Sequence, residues 1–252
     1  MFTAAILAAG EGSRLKAQGI ATPKPLVAIG GVPMVERILR QLKMIGAGEI
    51  VCIINHESLE VLAHIQSREI GIPIFTLIKS TPSSFHSFCA LLPFLPSEPV
   101  LVSLVDSIFD TAELEGFVRY ARQQPRLDGL LAVTDFVADE TPLRLRLGKK
   151  NRVMAIGREA DASPYVTGGI YWFSERIFAA ANQALARGVN RMRNFLAFLL
   201  DESYALEGYR FRKIIDVDTV EDIDLAERMG EQDEWNLTSR AFGEARNFRP
   251  TT

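Results

Sequence analysis

The sequence predicts an α/β fold built on a doubly wound, mostly parallel sheet with an added antiparallel hairpin. Three observations carry this reading. Short apolar runs such as "AAILA", "EIVCIIN" and "PVLVSLVD" recur through the first half of the 252-residue chain. Segments with apolar residues at helical spacing separate them, as in Pro33 to Met44. Strands that are apolar on both faces belong in a parallel sheet covered by helices, and right-handed crossovers then favour double winding. The third observation is the strict alternation of "LRLRL" (Leu143 to Leu147), followed by the turn "GKKN" and the return "RVMAIG". That pattern is a hairpin.

The elements follow in order. Ala4 to Ala8 is a buried strand closed by Gly10. Val35, Ile38, Leu39 and Leu42 form one face of the first long helix, with Pro33 at its start and Gly46 and Gly48 at its end. Residues 49–55 make the second strand, and Ser58 opens a helix bearing Leu59, Leu62 and Ile65. "IPIFTLI" is the third strand, and a short helix follows from Ser83 to Leu95. The fourth strand ends on Asp106. Asp110 with Glu113 starts a helix that runs to about Gln124. "GLLAVTDF" is the fifth strand. After the hairpin come the strand "VTGGIYWF", a helix from Ser174 to Arg187 and a helix from Arg191 to Leu200. "YRFRKIIDVD" reads as one strand, and Thr219 with Asp222 caps a last helix ending at Gly230. The expected organisation is a single domain over 1–230 with a polar extension over 231–252.

Composition narrows the function. Lys and Arg number 28 against 31 Asp and Glu, a net charge of −3, which argues against a nucleic-acid partner. The basic stretches Arg144 to Arg152 and Arg187 to Arg193 read as solvated faces. Cys52 lies in an apolar run and reads as a small buried hydrophobe. There is no Cys/His cluster, so zinc is not expected. Pro93, Pro96 and Pro99 break the longest apolar stretch, so no membrane span is expected. The start, Met1-Phe2-Thr3, lacks a positive leader. The expected location is cytoplasmic. A homo-oligomer is compatible with all of this.

The informative stretch is "LAAGEGSRLKAQGIATPKP", from Leu7 to Pro25. A glycine loop between the first strand and the first helix of such a sheet is a phosphate-binding position, because bare backbone brings N–H groups close to oxygens. The dinucleotide fingerprint fails at its third glycine, where Leu15 stands, and no P-loop pattern is present. What remains is a long open loop, kept irregular by Gly19, Pro23 and Pro25, carrying Arg14 and Lys24. Two cations on bare backbone suit a triphosphate. Asp106 ends an apolar strand at the carboxyl edge of the sheet, beside that loop at the switch point. Magnesium takes one or two carboxylates and completes its shell with phosphates and water, and Asp218 in "DVDT" supplies the second. Asp216 alternates with Asp218 and shares its face, in a supporting role. Gly168 and Gly169 interrupt a strand, which marks a close approach. A nicotinamide-dependent reductase is disfavoured, because the Tyr209-to-Lys213 pair falls on a strand pattern and not on one helical face.

"LAAGEGSRL" followed by "PKPLVAIGGVPMVERIL", with "LVSLVDSIFD", "VTGGIYWF" and "IIDVDTVEDIDLAE", closely resembles the sugar-phosphate nucleotidyltransferase family, of the nucleoside-diphosphate-sugar pyrophosphorylase kind. The resemblance covers residues 1 to about 229. It implies a Rossmann-like, glycosyltransferase-A-like nucleotidyltransferase fold. It also implies magnesium and transfer of a nucleotide from a nucleoside triphosphate to a phosphorylated small-molecule acceptor, with release of pyrophosphate. A sugar 1-phosphate is the expected acceptor. A cytidylyltransferase acting on a phosphorylated alcohol, and a silent nucleotide- or sugar-binding sensor, are the alternatives on the same fold. Carried onto this sequence, the family pattern assigns Leu7, Ala8, Ala9, Gly10, Gly12 and Ser84 to the nucleotide. Arg14 and Lys24 serve the reacting phosphates, and Asp106 and Asp218 the metal. Gly168, Gly169 and Arg158 serve the acceptor. His86 is a further candidate near the base. The sequence departs from the family where "KAQGIA" follows Leu15, where Val105 precedes Asp106, and where Thr167 and Gly168 precede Gly169. These departures bear mainly on the acceptor, and four bases stay open.

Overall fold

In a computed structural model, residues 1–138 and 141–232 are described, the side chains of 230–232 excepted. Thirteen strands and eight α-helices occur among them. In the first half these are β1 (Phe2–Ala8), α1 (Ser13–Ala17), β2 (Ala28–Ile29), β3 (Val32–Pro33), α2 (Met34–Met44), β4 (Ala47–Ile54), α3 (Leu59–Gln66), β5 (Ile74–Ile78), α4 (Ser84–Leu91), β6 (Val100–Leu104), β7 (Ser107–Phe109) and α5 (Thr111–Arg122). The second half contributes β8 (Gly129–Thr134), β9 (Leu145–Leu147), β10 (Val153–Ile156), β11 (Val166–Phe173), α6 (Arg176–Ala186), α7 (Met192–Asp201), β12 (Leu206–Arg210), β13 (Ile214–Asp216) and α8 (Val220–Gln232).

Seven strands form the central sheet in the order β12-β8-β11-β6-β1-β4-β5. The β1–β4, β1–β6, β4–β5 and β12–β8 pairs are parallel, while β11 runs antiparallel to both β6 and β8. Every residue of β1 is buried, as its unbroken apolar run requires. One face of the sheet packs on Val35, Leu39 and Leu42 of α2 and on Leu114 and Phe117 of α5. The other packs on Phe85 and Phe88 of α4, Ile177 of α6 and Phe195 of α7. Cys52 is fully buried among these apolar groups, which push its thiol up to about 12. A third cluster lies under the glycine loop, where Leu15 meets Ile215, Val217 and Ala226.

The chain winds from β1 outward through β4 and β5, then returns to the opposite side of β1 as β6. The carboxyl ends of β1 and β6 therefore meet at the switch point, where open α/β sheets bind ligands.

Three local readings change. The 143–157 hairpin forms its own two-stranded sheet, β9–β10, and touches the large sheet through single bridges, Arg144 to Val166 and Arg152 to Glu207. The antiparallel member of the large sheet is β11. The stretch 209–218 is two strands, because Phe211 N–H donates to the Val133 carbonyl and the chain then leaves β8 to pair with β7. The glycine loop is less irregular than its prolines suggest. It holds the single-turn helix α1 and a 3₁₀ turn over Lys24–Leu26. The polar extension lies almost wholly outside the described residues.

Gly168 and Gly169 form a bulge where the β11–β8 register slips between Thr167 and Tyr171. A methyl group on Gly168 would lie 2.2 Å from Ile214 Cδ1. The overpacking rule puts the cost of Gly168→Ala at about 1–3 kcal/mol. Urea unfolding should show that loss, and trimming the neighbour in a Gly168→Ala/Ile214→Ala double variant should cost less than the two single changes added together. Strict additivity would remove the steric explanation.

Candidate active site

Three carboxylates converge because two short strands align them. In the β13–β7 pair Asp216 stands opposite Ser107, and Val217 N–H donates to the Asp106 carbonyl at 3.0 Å. Ile215 and Val217 point into the core, so Asp216 and Asp218 face the other way. One carboxylate oxygen from each of Asp106, Asp216 and Asp218 lies within 4.8 Å of the others. The start of α8 fixes the end of this segment. The Asp222 carboxylate accepts the N–H groups of Asp218 and Thr219 at 3.1 and 2.9 Å, and Asp222 N–H is bonded back to the Thr219 hydroxyl. That reciprocal cap holds the Asp218 backbone still.

Lys24 closes the cluster. It is only 7% exposed. Its ammonium donates to Asp106 Oδ2 and, at 2.6 Å, to Asp218 Oδ1. Burial opposes the charge, but Asp106, Asp216 and Asp218 together outweigh it and hold the amine above its ordinary range. Gly12 explains how Lys24 comes so close. It is left-handed at φ 62°, and a methyl group there would lie 2.9 Å from Lys24 Cβ. Arg14, from α1, reaches the far side of the cluster, with Nη1 3.0 Å from Asp218 Oδ2, while half of its side chain stays exposed.

Two cavities meet here. The smaller, about 410 Å³, holds Gly10, Gly12, Lys24, Asp106 and Asp218. Nothing stands within 4 Å of a methyl group placed on Gly10, so that part of the loop is open. Leu7, Ala9 and Ser84 also line this cavity, whereas Ala8 does not. The larger, about 620 Å³, is floored by Gly168 and Gly169 and walled by Thr134, Leu143 and Tyr171. Arg14 and Ser84 line both, and Asp216 lines the larger.

Arg158 takes no part in either cavity. It sits exposed on the 3₁₀ turn Gly157–Ala160 beyond the hairpin. His86 is turned to the Ser83 hydroxyl at 2.9 Å and lines neither cavity. Two arginines appear that the sequence treats as a solvated face: Arg191 and Arg193, at the start of α7, line the larger cavity. No spacing rule marks them, because only the packing of α7 against α4, α6 and β10 brings them there.

Residues 4–202 match the model of the MobA-like NTP transferase domain. The chain belongs to that family. Among curated relatives of this NTP transferase is a bifunctional IPC transferase and DIPP synthase from Rubrobacter xylanophilus. It is 33% identical over 157 residues, 61% of this chain and 33% of that protein. The chain thus spans about a third of the length of that bifunctional relative. A UTP–glucose-1-phosphate uridylyltransferase from Haloferax volcanii is 25% identical over 238 residues, covering 89% of this chain and 95% of that one. The solved inositol-1-phosphate CTP transferase from T. maritima superposes with a TM-score of 0.76 at 19% identity, over 92% of this chain and 97% of that one. It establishes the shared fold.

The carboxylates fit a hard divalent cation. All the donors are oxygens, and Asp106 Oδ1 is buried with no hydrogen-bond partner among the described residues. The same geometry gives Lys24 a stabilising duty. Breaking a buried ion pair costs several kcal/mol, and with partly solvated partners we expect Lys24→Met to lose about 2–3 kcal/mol in EDTA. Magnesium should return more stability to this variant than to the unaltered chain in paired urea titrations. Equal midpoints in EDTA would show that Lys24 does not hold the cluster together.

Proposed function

We propose that this NTP transferase is a magnesium-dependent enzyme joining a nucleoside triphosphate to a phosphorylated small-molecule acceptor, a sugar or polyol phosphate. The observation that carries the reading is the placement of Asp106, Asp216 and Asp218 around Lys24, directly beneath the glycine loop. Two similar proteins are named in agreement with it, a UTP–glucose-1-phosphate uridylyltransferase and an inositol-1-phosphate CTP transferase. We take residues 1 to about 230 as one nucleotidyltransferase domain, working without nucleic acid.

The reaction needs charge control more than covalent chemistry. An acceptor phosphate oxygen bonds to the α-phosphorus. The bond from the α-phosphorus to the α–β bridging oxygen breaks, and pyrophosphate leaves with that electron pair. The nucleophile is already an anion near neutral pH, so no general base is required. Asp106 and Asp218, with Asp216 beside them, would hold the metal, which when bound would supply positive charge to offset that of the phosphates. Backbone N–H groups at Gly10 and Gly12 receive the triphosphate. Lys24, a compact charge at the base of the loop, serves the reacting phosphates. Arg14, half exposed and lining both cavities, presents a planar fork to the departing pyrophosphate. Ser84 lies between nucleotide and acceptor, and Gly168 and Gly169 form the acceptor floor.

Pyrophosphate release, measured for four triphosphates against a panel of sugar and alcohol phosphates, tests the reading. We expect at least one productive pair and no turnover in EDTA. Silence across the panel, with nucleotide binding demonstrated, would favour the sensor alternative. On a productive pair, Arg14→Ala and Lys24→Ala should each lower kcat/KM by about tenfold or more, the scale of one lost charge-assisted contact. Asp218→Asn should abolish turnover and weaken the magnesium dependence, and Asp216→Asn should do less because Asp216 lines the larger cavity and not the one that contains Lys24, Asp106 and Asp218. An active Asp218→Asn beside a dead Asp216→Asn would reverse their roles.

A further inference from the structure

We infer that the acceptor carries a second acidic group, a carboxylate or another phosphate, held by Arg191 and Arg193 while its first phosphate reacts. The inference rests on the nucleotidyl-transfer reading and adds the acceptor's chemical class. Both arginines line the larger cavity, and neither lines the smaller one that contains Lys24, Asp106 and Asp218. They therefore stand apart from the place where phosphate chemistry is proposed.

The larger cavity offers neutral hydroxyls from Ser13, Ser84, Thr134 and Thr167, which donate and accept, but its charged side chains are weighted toward cations. Among the described residues of this cavity there is no Asn, Gln or Glu, and the one carboxylate is Asp216, which belongs to the metal cluster. Against it stand three guanidinium groups, from Arg14, Arg191 and Arg193. A guanidinium donates only, and its planar fork matches a carboxylate or phosphate.

The two arginines are also positioned. The Ser83 hydroxyl, at the start of α4, donates to the Asn190 carbonyl at 2.7 Å and fixes the chain just before Arg191. Arg193 Nη2 donates to the Thr141 carbonyl at 3.1 Å, which leaves the other donors of its fork for a ligand. Among the described residues no hydrogen bond or ion pair engages the Arg191 guanidinium. Arg187, by contrast, is paired with Glu202 at 2.6 Å and lies outside the cavity.

Calorimetry with the full chain and Mg²⁺ tests this, using two matched sets of probes. One compares glucose 1-phosphate with glucuronate 1-phosphate and glucose 1,6-bisphosphate. The other compares ethyl phosphate with phosphoglycolate. In at least one set the probe with the second acidic group should bind about tenfold or more tighter than its neutral counterpart, the scale of one charge-assisted contact. Arg191→Gln and Arg193→Gln should each shrink that preference while leaving the neutral probe's affinity unchanged, and Arg187→Gln should leave the preference intact. If no acidic probe exceeds its neutral counterpart, or if the preference survives in the Arg191→Gln/Arg193→Gln double variant, the inference falls. A separate titration with magnesium–triphosphate keeps the two readings apart. A chain that binds no triphosphate yet keeps the arginine-dependent preference overturns nucleotidyl transfer and retains the second anion site.

Discussion

The Lys24 ammonium, seated against Asp106 and Asp218, is the contact on which the site depends. Neither side of it is tolerable alone. A buried ammonium without a partner is strongly penalised, and three carboxylate oxygens within 4.8 Å repel one another. Together they join three parts of the chain that are far apart in sequence: the end of the glycine loop, the end of β6 and the start of α8. The formal charges show what this prepares. Three carboxylates with Lys24 and Arg14 sum to −1, which attracts a cation, and adding a divalent ion turns the sum to +1, which attracts a triphosphate. The cluster is therefore held together by its own charges before any ligand arrives.

Backbone pairing makes that arrangement reproducible. Asp106 follows β6 at the edge of the large sheet, but Asp216 and Asp218 come from a segment outside it. The antiparallel β7–β13 pair places Asp216 opposite Ser107, and the bond from Val217 to the Asp106 carbonyl extends the pairing by one step. The Asp222 cap then stops Asp218 from drifting as α8 begins. Glycine acts the same way on the other side. Gly12 is required as much by Lys24 packing on it as by its left-handed turn, so the loop's bareness serves its own lysine.

Most of the central sheet was legible because its strands are buried on both faces and its helices are amphipathic. The two patterns differ, a short continuous apolar run for a strand against apolar residues recurring at the 3.6 spacing of a helix. The start of α5 was legible for a local reason: Asp110 accepts the Glu113 N–H at 3.0 Å, as the capping pattern requires. Reading failed where tertiary pairing decided the outcome. Nothing in "YRFRKIIDVD" marks the exchange of β8 for β7 as a partner at Phe211. Nothing in "LRLRL" distinguishes a hairpin joined to the sheet from one beside it. In the site, Asp106, Arg14 and Lys24 were recognisable as neighbours because the chain order of a doubly wound fold sets the first loop beside the end of β6, while Asp218 was legible from "DVDT" and its resemblance to the family pattern. Asp216 was half legible, since alternation gives its face but not its distance from the cluster. Arg191 and Arg193 were not legible at all, because a charged residue at a helix start looks the same whether it faces water or a cavity.

That contrast follows the division of labour in the cleft. The end proposed for the triphosphate is built from β1, the loop after it and the end of β6, with Asp218 added, and these are constrained by backbone geometry. Bare N–H groups, a left-handed glycine and a carboxylate at a strand end leave few alternative sequences. The other end is built from β8, β11 and the first turn of α7, where side chains project from elements whose own folding does not need them. Replacing the Arg191 side chain, whose guanidinium no described residue engages, would leave α7 and its core contacts through Phe195 and Leu199 in place. On the proposed function, the acceptor end is therefore the one whose side chains can change with least disturbance to the fold. On the inferred role, Arg191 and Arg193 keep guanidinium donors that the fold does not use: none at Arg191 is engaged by a described residue, and Arg193 gives one to the Thr141 carbonyl.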